Sequence, residues 1–200
     1  MKKLISIAIV FLMFHACSYA QFSAGQDKFS IAWEVGLPSN DFLDETSWRG
    51  GRIEYQRMLK DNMSVGIAAS WNSFSQYVPK TTYQKPDGSG AITTDIVKEL
   101  YSVPITANLK YYFKAGDKIK PYGGIGLGTQ YCDQAIYFNI YGLSDDSWGF
   151  VARPELGIAY PVSPTSAISL SVAYNYASNT SDLSDAGHLS HIAIGLGFVF

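Results

Sequence analysis

The closing stretch Ser190-His191-Ile192-Ala193-Ile194-Gly195-Leu196-Gly197-Phe198-Val199-Phe200 carries the pattern that decides the fold. Its large apolar side chains occupy every second position, with mostly small residues between them: Ile192, Ile194, Leu196, Phe198 and Phe200. Because successive side chains of a strand point to opposite faces, this pattern predicts a strand with large apolar side chains on one face and mostly small side chains on the other. Such a strand needs others of the same kind beside it, because an unpaired edge leaves its backbone groups without partners.

Seven further segments alternate in the same way, at about residues 28–37, 51–59, 63–72, 96–113, 121–131, 150–160 and 167–176. Long polar connections at about 38–48, 73–94, 132–148 and 178–187 alternate with short turns. This is the pattern of an up-and-down antiparallel barrel with short turns at one end and long loops at the other. An even number of strands also returns both termini to the same side.

The two faces of these strands indicate which side of the barrel is outside. One face is bulky and apolar at nearly every position, and the other carries glycine, alanine, polar and charged residues. Small residues cannot shield a sheet from water, so we predict lipid outside and a narrow polar interior. Outward aromatic residues fall into two groups by height: Trp71, Tyr101, Tyr131, Phe150, Tyr174 and Tyr176 near the loops, and Phe29, Tyr111, Phe113, Tyr160, Phe198 and Phe200 near the turns.

The predicted fold is therefore all-β, an eight-stranded antiparallel up-and-down transmembrane β-barrel. Two aromatic girdles, one at each interface, are typical of a barrel that spans a bilayer. The alternative is a soluble β-sandwich or a lipocalin-like barrel with many aromatic residues.

The N-terminal segment predicts a secretory signal peptide over residues 1–20 and a barrel domain over 21–200. Lys2 and Lys3 precede an apolar run of about 11 residues, too short for a spanning helix, and small residues stand before Gln21. Cys17 raises a lipoprotein alternative, although the residues before it match that signal poorly. Cleavage after Ala20 leaves Cys132 as the only thiol, which excludes an intrachain disulfide; we expect a free thiol at the rim.

The composition limits which classes of partner and cofactor can be expected. The mature chain carries 13 basic and 17 acidic side chains, a formal net charge of −4, so nothing favours nucleic acid as a partner. Beyond the signal no apolar run is long enough for a spanning helix. The glycine row Gly124-Ile125-Gly126-Leu127-Gly128 lies in a predicted strand rather than before a helix, so it is not a phosphate loop. No metal-ligand spacing is present, and no cofactor is expected.

Several segments carry a resemblance to a known family: Tyr101-Ser102-Val103-Pro104-Ile105, Lys110-Tyr111-Tyr112-Phe113, Pro121 to Gly128, Arg153-Pro154-Glu155-Leu156-Gly157 and the closing strand. Over essentially the whole mature chain it resembles the small outer-membrane β-barrels of the OmpA/OmpX/OmpW type, in the form common in Bacteroidetes-like bacteria. The resemblance implies a monomer in the outer membrane of a Gram-negative bacterium, with lipid, lipopolysaccharide and the barrel assembly machinery as partners. In that family the closing strand is the insertion signal, here Ile192, Ile194, Leu196, Phe198 and Phe200. The resemblance names no activity or surface ligand, because this family does not share one function.

Ionisable residues on the face predicted to line the lumen predict a charge network there: Glu34, Arg52, Glu54, Lys98, Lys110, Arg153 and Glu155. Glu34 and Arg52 flank the first loop symmetrically, so we expect them to pair across the first hairpin. One interpretation is a selectivity or proton-relay site. The other is a salt-bridge plug, which eight strands favour because their interior is just wide enough for side chains to fill.

An enzyme is the remaining alternative, because small barrels of this kind include lipid A-modifying hydrolases and acyltransferases. His188, Ser190 and His191, with Asp182 or Asp185 nearby, supply residue types for nucleophilic catalysis. Strand parity places Ser190 and His191 on opposite faces, which argues against a shared site. The sequence thus predicts a non-enzymatic barrel with a structural or surface-interaction role through four extracellular loops. A narrow channel or conduit for small or hydrophobic solutes is the main alternative.

Overall fold

The computed structural model describes residues 23–39, 42–84, 90–114, 119–138, 141–163, 165–180 and 188–200. Its eight strands are β1 (Asp27–Pro38), β2 (Ser47–Lys60), β3 (Met63–Gln84), β4 (Ala91–Tyr112), β5 (Lys120–Phe138), β6 (Tyr141–Pro161), β7 (Ala167–Ala177) and β8 (His191–Val199). The predicted signal peptide, with Cys17, lies outside the described residues. Within those residues, no helix is long and apolar enough to cross a membrane.

The strands form one closed barrel in sequence order, with every neighbouring pair antiparallel. β8 closes the ring against β1 in a continuous register from Ser30 opposite Val199 to Pro38 opposite His191. At the turn end, Phe29 and Phe200 extend this seam by exchanging two backbone hydrogen bonds of 2.7 and 2.8 Å. The predicted eight-stranded up-and-down barrel is confirmed.

The predicted bulky face is the outer face of the barrel. Its large apolar side chains are exposed along every strand, as at Ile31, Ile105 and Leu196, whose exposed fractions are 50%, 48% and 52%. Aromatic contacts mark both ends of this face: Phe29 packs on Phe200 at 5.4 Å between ring centroids near the turns, and Tyr131 packs on Trp148 at 5.2 Å near the loops. A soluble barrel would bury this face, so the soluble alternative is wrong.

Two predicted loops are wrong. Residues 73–94 and 132–148 belong largely to strands, because β3 pairs with β4 from Met63 opposite Tyr111 to Gln84 opposite Ala91, and β5 pairs with β6 out to Phe138 opposite Tyr141. The sequence pattern does not reveal these extensions, because neither of their faces contacts lipid. Polar residues then occur on both faces, so the period of two disappears while the backbone ladder continues.

These extensions form a projecting sheet, which we define as residues 74–84 of β3, 91–101 of β4, 132–138 of β5 and 141–149 of β6. β2 last pairs with β3 at Arg49 opposite Ser73, and β7 last pairs with β6 at Ala177 opposite Val151. Beyond these points no residue of β2 or β7 pairs with the four strands in the part of the chain that the structure describes, although Ser178 and Asn179 still bond to Phe150 and Ser147. At about 3.3 Å per residue, nine residues extend about 30 Å along the strand.

The connection predicted at 38–48 lies between β1 and β2, but part of it folds into the barrel mouth. Of the loop predicted at 178–187, residues 181–187 lie outside the described residues. Phe42 and Leu43 are 3% and 1% exposed, and Leu189, just before β8, is 1% exposed. These apolar side chains lie above the lumen and close it at the loop end.

Candidate functional site

The lower half of the lumen holds four charged residues in mutual contact. Arg52 on β2 donates from Nη1 to Glu155 Oε2 and from Nη2 to Glu54 Oε2, the second contact at 2.9 Å. Lys110 Nζ lies 2.8 Å from Glu54 Oε2 and 3.1 Å from Glu155 Oε1. Each cation thus touches both carboxylates, and all four side chains are at most 5% exposed.

A second ion pair lies nearer the mouth. Arg153 donates from Nη2 to Glu34 Oε1 at 2.5 Å and from Nη1 to Asn175 Oδ1 at 3.0 Å. Its Nε lies 3.8 Å from Glu155 Oε2, which joins this pair to the lower group. We call Glu34, Arg52, Glu54, Lys110, Arg153 and Glu155 the charge network; its three carboxylates balance its three cations.

Neutral side chains complete the network. Asn108 Nδ2 donates to Glu54 Oε1 at 3.0 Å, and the Tyr122 hydroxyl donates to Glu155 Oε1 at 2.9 Å. The Lys110 ammonium also stands 4.9 Å from the centroid of the Tyr122 ring. Buried charges are tolerated when they are paired and hydrogen-bonded, and these contacts provide both.

The structure brings six of the seven predicted lumen charges together and leaves Lys98 out. Lys98 lies on the inner face above the network, where its Nζ donates to the Phe42 carbonyl at 3.0 Å and stands 5.2 Å from the Phe42 ring centroid. The predicted hairpin pair of Glu34 with Arg52 is wrong. In the β1–β2 register Arg52 lies opposite Ala32 and Glu34 opposite Gly50, and both charges reach across the lumen to β6 instead.

An apolar group, which we call the mouth cluster, covers the charge network: Phe42, Leu43, Phe74, Leu100, Cys132 and Leu189. Each of these side chains is at most 3% exposed. Cys132 is a free thiol, as predicted, but it is buried in this cluster rather than exposed at the rim; Gln130 Nε2 lies 3.1 Å from its Sγ. The apolar pair Phe42-Leu43 within a polar connection was the sequence signal for this cluster.

The void below the charge network is small. Between the network and the turn end, the void lined by Arg52, Lys110, Tyr122 and Glu155 measures about 20 Å³. A single water occupies roughly 10–15 Å³ on this measure, so the void holds about one water. The lumen is thus filled by ion pairs in its middle and by apolar side chains at its mouth.

A larger recess of about 490 Å³ lies on the outer wall, lined mainly by Pro154, Leu156, Val172, Tyr174 and Ile192. Arg153 and Glu155 stand behind it on the inner face and are 2% and 4% exposed. The β6–β7 register is unchanged on both sides of it, from Ala152 opposite Tyr176 to Glu155 opposite Ala173. The recess is therefore a lipid-facing hollow backed by the charge network.

The residue types considered for catalysis do not assemble. His188 is exposed and packs on the Tyr176 ring, with 5.4 Å between ring centroids. Ser190 and His191 are both buried, and β8 begins at His191, so the strand alternation used to place them on opposite faces does not include Ser190. Ser190 Oγ accepts from the Ala177 amide at 3.2 Å, whereas His191 Nε2 lies 2.9 Å from Asn175 Nδ2.

Asp182 and Asp185, the carboxylates predicted near these residues, lie outside the described residues. Elsewhere, in the part of the chain that the structure describes, no three His, Cys, Asp or Glu side chains form a group that could hold a metal ion.

The outward face of the projecting sheet is acidic and aromatic. The β4–β6 register places four carboxylates at its outward positions, and no lysine or arginine occupies those positions: Asp95, Glu99, Asp133 and Asp146. Asp133 lies directly opposite Asp146. Tyr77, Tyr137 and Trp148 are 56%, 47% and 63% exposed on the same side.

Comparison with known proteins gives one family. The model of the outer membrane protein beta-barrel domain matches residues 7–200. None of the curated proteins matches the chain.

Among solved structures, Neisserial surface protein A is similar, with a TM-score of 0.60 and 16% sequence identity over 86% of this chain and 95% of that one. Ail, the attachment invasion locus protein of Yersinia pestis, has a TM-score of 0.49 and 20% identity over 88% of this chain and 99% of its own. OprG from Pseudomonas aeruginosa has a TM-score of 0.47 and 18% identity over 92% and 99%. At these identities the likeness concerns the fold alone.

Proposed function

The chain belongs to the outer membrane protein β-barrel domain family, and from this premise we propose that it is a non-enzymatic, non-conducting barrel that displays its projecting sheet as an interaction surface. Its place is the outer membrane of a Gram-negative bacterium, where barrels of this kind turn their short connections to the periplasm and their long ones to the exterior. The projecting sheet then stands outside the cell.

The observation that carries this proposal is the closed lumen beneath a long exposed sheet. Six charged side chains at most 5% exposed fill the middle of the barrel, and the mouth cluster covers them. A conduit for solutes needs a continuous path, and a void of about 20 Å³ does not supply one. The four-stranded sheet carries a large exposed area beyond the barrel wall, and its base, at Phe74, Leu100 and Cys132, contributes to the mouth cluster.

The absence of an assembled nucleophile, base and orienting carboxylate in the described residues supports a role without catalysis. We also assign lipid and lipopolysaccharide as the surroundings of the outer face. The barrel assembly machinery is the partner that recognises Ile192, Ile194, Leu196, Phe198 and Phe200. In this role the barrel acts as a monomeric anchor.

A strain lacking the protein, complemented with full or shortened chains, tests the proposal. The shortened chain replaces residues 77–97 and 135–144 with Asn-Gly turns, which suit two-residue hairpin connections. We expect both chains to assemble as heat-modifiable barrels without steady conductance in planar bilayers, and only the full chain to restore adhesion. Steady ion-selective openings of the full chain, altered lipid A in its mass spectrum, or full function of the shortened chain would each refute the proposal.

A further inference from the structure

An ion pair of Asp27 and Arg57 lies on the outer face of the barrel at its turn end. The two residues stand directly opposite each other on β1 and β2, and Arg57 Nη1 lies 3.3 Å from Asp27 Oδ1. Arg57 follows Tyr55 and precedes Leu59 on the outward face of β2, and Val65 of β3 lies opposite it. A charged pair within this lipid-facing surface is tolerated near a membrane interface, where polar headgroups surround it.

The height of the pair along the strands matches the headgroup region. Phe29 lies opposite Tyr55 and packs on Phe200, so these rings belong to the girdle at the turn end. Asp27 and Arg57 follow two residues further toward the turns, which is about 7 Å at the rise of a strand. Because aromatic girdles lie at the membrane interface, the pair faces the headgroups of the leaflet on the turn side.

The pair leaves contacts open on both of its sides. Asp27 Oδ1 accepts from the Tyr55 hydroxyl at 2.8 Å and from Arg57 Nη1, whereas Asp27 Oδ2 makes no hydrogen bond among the described residues. Nη2 and Nε of Arg57 likewise have no partner in the part of the chain that the structure describes. The two side chains are 52% and 57% exposed. An open guanidinium edge thus stands beside an open carboxylate oxygen.

A headgroup that carries both charges fits this arrangement. One edge of a guanidinium donates two parallel hydrogen bonds to a phosphate, and a primary ammonium donates to a carboxylate. In phosphatidylethanolamine these two groups are joined by two carbons, so one headgroup reaches both members of an ion pair. Phosphatidylcholine has no N–H to donate, and phosphatidylglycerol has no cation. Deeper in the membrane, Ile53 and Ile67 are 42% and 64% exposed and offer an apolar wall to the acyl chains.

We propose that Asp27 and Arg57 bind the headgroup of a phosphatidylethanolamine molecule in the periplasmic leaflet of the outer membrane. Nη2 and Nε of Arg57 hold the phosphate, and Asp27 Oδ2 accepts from the ammonium. The site lies at the opposite end of the barrel from the projecting sheet. The inference therefore goes beyond the proposed function and needs only the membrane placement of the barrel.

The test places the full barrel in nanodiscs of phosphatidylethanolamine, phosphatidylcholine and phosphatidylglycerol in equal amounts. Native mass spectrometry then measures which lipids stay bound when the barrel is released. We expect the wild type to retain phosphatidylethanolamine about fivefold over phosphatidylcholine, the size of one exposed charged contact. Asp27→Asn should abolish this preference and leave phosphatidylcholine unchanged, whereas Arg57→Gln should lower retention of all three lipids about fivefold.

Lys60→Gln is the matched control, because Lys60 is an exposed cation at the end of the same strand, opposite Met63 rather than Asp27. It should leave the retained lipids unchanged. Equal retention of phosphatidylethanolamine and phosphatidylcholine by the wild type would overturn the inference, even if a variant fails to assemble. A preference that persists in Asp27→Asn, or equal effects of Lys60→Gln and Arg57→Gln, would also overturn it.

Soluble phosphoethanolamine separates a membrane lipid from the free headgroup. It carries the same phosphate and ammonium but no acyl chains, so at the concentration of the lipid it should not displace the bound phosphatidylethanolamine. Displacement would assign the site to the free headgroup and would overturn the lipid assignment. The outcome of these experiments is distinct from that of the adhesion test, because the shortened chain keeps Asp27 and Arg57.

Discussion

Arg153 Nη2 and Glu34 Oε1 lie 2.5 Å apart, although they belong to β6 and β1, which are not neighbours in the barrel. The contact therefore crosses the lumen, and it does so between side chains that are 2% and 1% exposed. Arg153 is also bonded to Asn175 on β7. This side chain thus ties β6 to β1 and β7, while Arg52 and Lys110 tie β6 to β2 and β4 lower in the lumen.

Removing this side chain should destabilise the barrel. Arg153→Ala leaves Glu34 as a buried carboxylate without its cation, and breaking a buried pair in this way costs about 3–5 kcal/mol. We expect a corresponding fall in the free energy of unfolding, measured by urea titration of the barrel in lipid vesicles.

The matched control is Lys98→Ala, because Lys98 is a cation on the same inner face that makes no ion pair among the described residues. A double variant with Glu34→Gln and Arg153→Gln should cost less than the two single changes added together, since no lone charge remains. An Arg153→Ala barrel as stable as the wild type would show that the pair contributes nothing.

The mouth cluster should control access to the lumen from outside. Phe42→Ala combined with Leu43→Ala removes two buried side chains over Cys132, which is 0% exposed. We expect Cys132 of the mature protein to react with a membrane-impermeant maleimide in the double variant but not in the wild type. Conductance should stay absent, because the charge network below still fills the lumen.

Trp48→Ala is the control for this experiment, since Trp48 follows the same connection but lies 65% exposed on the outer face. Labelling of Cys132 in the wild type would contradict the closed mouth. Steady conductance in the double variant would contradict the second barrier beneath it.

Gly128 should not tolerate a side chain. A Cβ added to Gly128 would lie 1.9 Å from the Ile105 carbonyl oxygen of the paired strand β4, so the backbone itself has to move. Gly128→Ala is expected to cost about 1–3 kcal/mol, the usual penalty of overpacking. Gly123→Ala on the same strand is the control, because the nearest atoms its Cβ would meet belong to side chains, Leu156 Cδ2 at 3.3 Å and the Phe113 ring at 3.7 Å. Equal stability of the two variants in urea would count against this close approach.

The membrane-spanning parts of the strands could be predicted because lipid on one face and a narrow lumen on the other impose a period of two. Where both faces are wet this constraint is absent, so the extensions of β3 to β6 looked like loops. The lengths of these extensions are set by backbone pairing, as between Tyr137 and Gly142. Backbone pairing leaves no hydrophobic pattern in the sequence.

The partners within the lumen could not be predicted for a different reason. The sequence assigns Glu34, Arg52 and Arg153 to the inner face, but the tilt and stagger of the strands decide which inner residues meet at one height. The alternation of side chains correctly assigns Lys98 to the inner face, but Lys98 is not part of the charge network because it lies above the barrel rim beside Phe42. That this chain is the form of the barrel family common in Bacteroidetes-like bacteria stays a prediction.

Phe200 should be needed for assembly. Its backbone closes the seam with Phe29 through two hydrogen bonds of 2.7 and 2.8 Å, and its ring lies 5.4 Å from the Phe29 ring and 6.1 Å from Phe198 on the outer face. Phe200→Asp keeps the backbone but puts a charge where the apolar girdle meets the membrane interface. We expect less heat-modifiable barrel in the outer membrane and more degraded chain in the periplasm. Phe200→Tyr, which keeps an aromatic ring suited to the interface, should assemble as the wild type does. Assembly of Phe200→Asp at the wild-type level would show that the closing strand acts as an insertion signal without its last side chain.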